Sequence, residues 1–212
     1  MSITFEFSKQ EGLLKQYYKL REECFRNELG LEAFDGTEDL FDQTGHILIF
    51  RDGDICIGGV RITGCSLFGR SLVPLEQKGL DISQMLPQLS LTLAPYCQWE
   101  RLVLRPEYRG IDMLKGICKA LIRGCASLGY HYAFNVTGIK RARLYKRVHS
   151  NLGFDYEIYN QLEMPVENDF SHLEHLLSIA HIPKAERDEL VGADDEQVFA
   201  GLWQPSDVYC AA

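Results

Sequence analysis

WERLVLRPEYRGIDMLKGICKAL, residues 99–121, decides the fold. An apolar run ends at Arg105-Pro106, and proline removes a backbone donor, so the run stops there as a strand. A small polar loop carries Tyr108, Arg109 and Gly110. Then apolar residues recur at Met113, Leu114, Ile117, Cys118, Leu121, Cys125 and Leu128, the three- and four-residue spacing of a helix over 111–128 with one buried face. A helix start presents unpaired N–H groups and the positive end of the helix dipole, and so stabilises an anion. Gly110 allows close approach, and the Arg109 guanidinium suits phosphate. An ordinary strand-to-helix connection is the competing reading.

Outward from this unit, YHYAFNV is the next strand, IKRARLYKRVHSNLGF a helix ending at Gly153, and DYEIYNQLEM a final strand. Toward the N-terminus, ITFEF alternates like a short strand, and HILIF and ICIGGVRI are strands joined through Asp52-Gly53, a strong hairpin signal. Residues 11–29 form a helix on which Leu14, Tyr17, Tyr18, Arg21, Phe25 and Glu28 fall near one stripe. Arg21 is thus on or beside the apolar face, either snorkelling at its edge or serving a carboxylate or phosphate. GLEAFDGTEDLFDQTG is an acidic loop. Between Cys65 and Ala94 the pattern weakens to a loop with one short helix, and its apolar segment from Leu67 to Leu93 is a candidate lining for an acyl tunnel. The expected architecture is α/β: a mixed central sheet flanked by helices over residues 1–165, then a C-terminal extension of short acidic helices over 166–212 that covers the sheet, closes the site or forms a dimer contact.

The 212 residues suit one sizeable core, and 46% hydrophobic with 25% charged residues is ordinary for a globular chain. The net charge of −8 gives no global support for nucleic acid. Two basic clusters, Arg101 to Lys119 and Lys140 to Arg147, fit a compact anionic ligand instead. Seven cysteines without a CxxC pair, and a start lacking a basic stretch before an apolar core, lead us to expect reduced thiols and a cytoplasmic location. No stretch approaches the ~18 apolar residues of a membrane span. His172, His175 and His181 read as part of an amphipathic helix rather than a metal site. Asp35, Glu38, Asp39 and Asp42 lack EF-hand spacing, so no metal is expected.

The segment LVLRPEYRGIDMLKGICKALI resembles the acyl-CoA binding motif of the GNAT superfamily of N-acyltransferases, and ARLYKRVHSNLGF resembles its second motif. The N-terminal half, with YKLREECFRNELGL, EDLFDQTGHILIF and IGGVRITG, looks like the branch holding the autoinducer (acyl-homoserine lactone) synthases, the N-acyl amino acid synthases and the ornithine lipid acyltransferases. The resemblance implies a GNAT-like fold. It implies transfer of an acyl group from acyl-CoA or acyl carrier protein to a primary amine of a small amino-acid-like acceptor. Acyl-CoA or acyl-phosphopantetheine would lie along Leu102, Val103, Leu104, Arg105, Tyr108, Arg109, Gly110, Ile111, Asp112 and Met113. Arg21, Phe25, Asp39, Asp42, Arg61 and Arg101 match the branch's acceptor-side pattern. Glu100 is the candidate base, and Tyr145 or His149 the candidate acid for the leaving thiolate.

The sequence departs from the pattern in several places. Asp112 and Leu114 stand roughly where ordinary acetyltransferases carry glycines, and Gln98 where the branch carries a glutamate. Tyr145 lies nine residues before Phe154, while His149 occupies the usual five-residue spacing. An ordinary acetyl-CoA-dependent N-acetyltransferase and a non-catalytic acyl-thioester-binding fold are the alternatives. A homodimer is compatible with either.

Overall fold

In the computed structural model the described residues are 3–64, 73–77, 79–162, 164, 170, 172–173 and 175–186. Seven strands form one sheet in the order β1-β2-β3-β4-β5-β7-β6: β1 (Ile3–Phe7), β2 (His46–Asp52), β3 (Ile55–Gly64), β4 (Tyr96–Leu104), β5 (Tyr132–Thr137), β6 (Tyr156–Tyr159) and β7 (Leu176–His181). Every pairing is antiparallel except β4 with β5. The helices are α1 (Glu11–Leu29), α2 (Leu40–Thr44), the short α3 (Pro74–Gln77) and α4 (Ile82–Met85), α5 (Ile111–Ser127) and α6 (Ile139–Asn151). This is the mixed sheet flanked by helices that the sequence pattern implied.

Alternation along β4 assigns the two faces. Cys97, Trp99, Leu102 and Leu104 pack with α5 residues Ile117, Leu121, Ile122 and Cys125. Tyr96 and Val103 point the other way, toward α1 and the segment carrying α3 and α4. Helix α1 buries Leu13, Tyr17, Leu20, Cys24 and Phe25, and with them Arg21. Gly53 takes φ 59° at the β2–β3 turn, the left-handed conformation expected of that hairpin.

Two expectations change. Residues 176–181, read as helical, are strand β7, inserted between β5 and β6. Their apolar run is short enough to be either element by periodicity, and pairing on both sides decides for strand. The sheet therefore continues past the boundary expected at 165; residues 187–212 of the expected extension lie outside the described residues. The tunnel lining is also revised. Leu75, Ile82, Leu86, Leu89 and Leu91 are buried against Phe134, Leu177 and Ile179, so this part of the segment fills a core, and Leu93 is exposed. Residues 65–72 lie outside the described residues.

Candidate functional site

Strands β4 and β5 pair over only three positions, Tyr96↔Tyr132, Cys97↔Ala133 and Gln98↔Phe134. Beyond them the strands part. Residues 99–104 keep only β3 as a partner, and their backbone groups on the β5 side border a fork. On the β3 side, the register shifts between Gly59↔Val103 and Arg61↔Glu100, where Arg101 adopts φ 58°. This is a β-bulge, and it breaks alternation so that Glu100 and Arg101 share one face. A non-glycine residue in that conformation costs roughly 1–3 kcal/mol, which its surroundings must offset. The Tyr17 hydroxyl donates to the Arg101 carbonyl at 2.9 Å. The Arg101 guanidinium lies 5.3 Å from the Phe25 ring centroid and 5.0 Å from that of Phe34.

On that face stands a buried ion network. Arg21 donates from Nη1 and Nη2 to the two Asp42 oxygens at 2.9 and 2.8 Å, and also to the carbonyls of Gly36 and Thr37. Arg61 donates from Nε and Nη2 to Glu100 Oε1 at 3.0 and 2.6 Å, and from Nη1 to Asp39 and to Asp42, the latter at 3.0 Å. Asp39 and Asp42 also cap each other's backbone N–H, the capping box that starts α2. Burial works against the Arg61 charge, yet Glu100, Asp39 and Asp42 together hold its proton more firmly than usual. Burial raises the Asp39 carboxyl, but Arg61 outweighs it and the net direction is down. Two guanidiniums face three carboxylates, so the ionised network is net negative. Its less covered members, Asp39 and Glu100, suit a cationic amine arriving from solvent.

The open reading of Arg21 thus resolves to a fully buried carboxylate partner that also anchors the acidic loop. Gly36 is required there. A Cβ at this position would overlap the Glu22 side chain and stand 2.6 Å from the Tyr18 carbonyl oxygen. We expect Gly36→Ala to cost about 1–3 kcal/mol; an unchanged urea midpoint would show that the loop can shift at no cost.

The β4–α5 connection differs from its sequence reading. Arg105 Nε donates to the Cys56 carbonyl at 3.0 Å, and Tyr108 hydroxyl to Asp52 at 3.2 Å. Arg109, read as a phosphate ligand, donates to the Leu104 carbonyl and pairs with Glu28 of α1. These side chains stitch the loop to α1 and the β2–β3 hairpin. Leu102 and Leu104 pack into one core and Val103 into the other, so only their backbone borders the fork. What stays open is the helix start. Helix α5 has no side-chain cap, and a Cβ on Gly110 would meet nothing. Ile111 is exposed, Met113 leans on the core, and the Asp112 carboxylate is paired with Lys115 at 2.9 Å.

Tyr145 is half-buried beside the α5–β4 core, and burial pushes its hydroxyl up to about 12, so it keeps its proton at neutral pH. His149 is fully buried between Trp99 and Tyr156. Its Nδ1 lies 2.8 Å from the Tyr145 carbonyl, which can only accept, so Nδ1 carries the proton. Burial lowers its pKa, against the opposing effect of that bond. The neutral ring therefore has no proton on Nε2, which removes the rationale for His149 as the acid. Sequence reasoning missed Glu28, Trp99 and the Gly36 and Thr37 carbonyls; only Glu28 left a signal, lying on the same stripe of α1 as Arg21.

No protein-family model matches the chain, and no curated protein matches it in sequence. Solved structures do match in fold. A CoA-dependent acyl-homoserine lactone synthase, BjaI, with SAM and isopentyl-CoA, superimposes with a TM-score of 0.59 at 17% identity, over 89% of this chain and 88% of that one. The AHL synthase LasI gives 0.56 at 12% identity, over 96% of each chain. FeeM, an N-acyl amino acid synthase from uncultured soil microbes, gives 0.51 at 10% identity, over 86% of this chain and 92% of that one. The chain has the GNAT-like fold of these acyltransferases.

Proposed function

We propose that the protein is an N-acyltransferase that moves an acyl group from an acyl thioester to the primary amine of a small amino-acid-like acceptor. The observation that carries this reading is the β4–β5 fork beside the uncapped start of α5. A thioester's pantetheine arm fits the unpaired strand edge. Its pyrophosphate, when the donor is CoA, fits the N–H groups of Ile111, Asp112 and Met113. Arg105, Tyr108 and Arg109 hold the loop in place. The structural neighbours' own substrates, named above, support the same class.

The acceptor side is the buried network. Asp39 and Glu100 attract the ammonium form, and Arg21, Arg61 and Asp42 hold those carboxylates in position. Phe25 lies behind Arg101, whose charge suits an acceptor carboxylate. Glu100 first takes a proton from the ammonium, freeing the lone pair that bonds the thioester carbon; the second nitrogen proton leaves as the intermediate collapses and, through solvent, restores the proton that Tyr145 gives up. The oxyanion is met by backbone N–H on the β4 edge. The C–S bond then breaks, and the Tyr145 hydroxyl donates to the thiolate. An acyl carrier protein suits the role of donor as well as CoA, since Lys140, Arg141, Arg143, Lys146 and Arg147 of α6 are all exposed and suit an acidic partner.

Calorimetry with acyl-CoAs of increasing length, and with acyl carrier protein, tests the reading. Gly110 has φ −173°, an extended backbone any residue adopts, and open space in front of it. Gly110→Val should leave the melting temperature unchanged and weaken acyl-CoA at least tenfold, because its side chain meets only ligand. Absence of binding by every thioester would sink the reading. Binding without thiol release in the presence of amines would leave a non-catalytic thioester-binding fold.

A further inference from the structure

The closed end of the fork is polar where a purely apolar acyl group would want none. Past the last β4–β5 pair, the next residues are Trp99 and Asn135, and both turn toward α6. Trp99 Nε1, which can only donate, is buried with no partner among the described residues. His149 Nε2, which in this tautomer can only accept, is buried and equally unpartnered. The two rings stand 5.7 Å apart at 62°. Trp99 and His149 are 4% and 1% exposed. Buried polar atoms normally have partners, and an unpartnered donor on one of two neighbouring rings with an unpartnered acceptor on the other suits one group that does both.

A hydroxyl is such a group. Tyr145 lies four residues before His149, about 6 Å nearer the open end of the fork along the axis of α6. A thioester whose sulfur meets Tyr145 would therefore present its acyl carbons at Trp99 and His149. We propose, resting on the reading of the fork as a thioester site, that Trp99 and His149 form a subsite for a hydroxyl on the acyl chain. The hydroxyl oxygen accepts from Trp99 Nε1–H, and its proton is donated to His149 Nε2. A ketone in its place satisfies Trp99 but leaves His149 bare, and an unsubstituted chain leaves both bare.

Calorimetry of the full chain with butyryl-CoA, acetoacetyl-CoA and each enantiomer of 3-hydroxybutyryl-CoA tests this. One hydroxy enantiomer should bind about tenfold more tightly than butyryl-CoA, with acetoacetyl-CoA between them. Trp99→Phe and His149→Phe should abolish the preference, while His149→Gln, whose amide oxygen still accepts, should retain part of it. If butyryl-CoA binds as well as both hydroxy esters, the subsite proposal fails and the acyltransferase reading stands. If no ester binds, both fail. Should the variants unfold, the wild-type ligand series alone still decides.

Discussion

Arg61→Ala is expected to destabilise the fold by about 3–5 kcal/mol, the usual consequence of stripping one partner from a buried ion network. Arg61 is 1% exposed and its loss takes a partner from three carboxylates, of which Asp39 and Glu100 lose the guanidinium that pairs them and the buried Asp42 keeps only Arg21 as an ion partner. A domain of this size has ~5–15 kcal/mol to lose, so a large fraction should unfold near body temperature. Arg61→Lys keeps the charge but not the fork of donors, and should fall between. The deficit carries a pH signature. In the wild type Asp39 has a lowered pKa, so its contribution is present above the ordinary carboxylate value and is lost as pH falls through the lowered one. Without Arg61, burial is opposed only by the Asp42 N–H bond and the charge of Arg21, so the Asp39 pKa rises from its wild-type position and its stabilising contribution above the ordinary carboxylate value shrinks. The gap between variant and wild type should shrink from pH 7 to pH 4. Urea titrations at both pH values measure it. A deficit under 1 kcal/mol, or one that widens in acid, would mean the network is not held as described.

Tyr145→Phe should reduce turnover by about 100-fold while leaving stability and thioester affinity nearly unchanged. The hydroxyl keeps its proton at neutral pH and is the donor that the proposed mechanism assigns to the departing thiolate. Loss of a donor used only as the thiolate departs should appear in kcat and not in KM. Thiol release from the preferred acyl-CoA, with an acceptor found by amine screening, measures both constants. Unchanged kcat would remove Tyr145 from the chemistry.

Much of this architecture follows from local pattern. Helix α1 spans the expected residues 11–29, and the β2–β3 hairpin turns at Asp52-Gly53, because periodicity and turn chemistry act over a few residues. Helix α5 likewise begins one residue after Gly110. The failures share a cause. The segment LLSIA has no period long enough to separate strand from helix, and only its two neighbours in the sheet make it β7. Arg109 sits in a loop whose chemistry suits phosphate, but its partner Glu28 lies 81 residues away on α1. Motif spacing favours His149 as an acid, while the Tyr145 carbonyl fixes the proton on the wrong nitrogen for that role.

The sequence by itself determined the order of the main strands and helices as far as β6, the strand-to-helix loop with its glycine, and the presence of an arginine on an apolar face, since each depends on propensity and spacing within one segment. Tertiary structure alone decided that Arg21 and Arg61 share Asp42, that β4 and β5 part after three residues, and that the neighbouring rings of Trp99 and His149 each keep a buried nitrogen without a partner among the described residues. Those relations join segments far apart in the chain. They arise because burial removes water as a hydrogen-bond partner and leaves each polar group only what folding brings beside it.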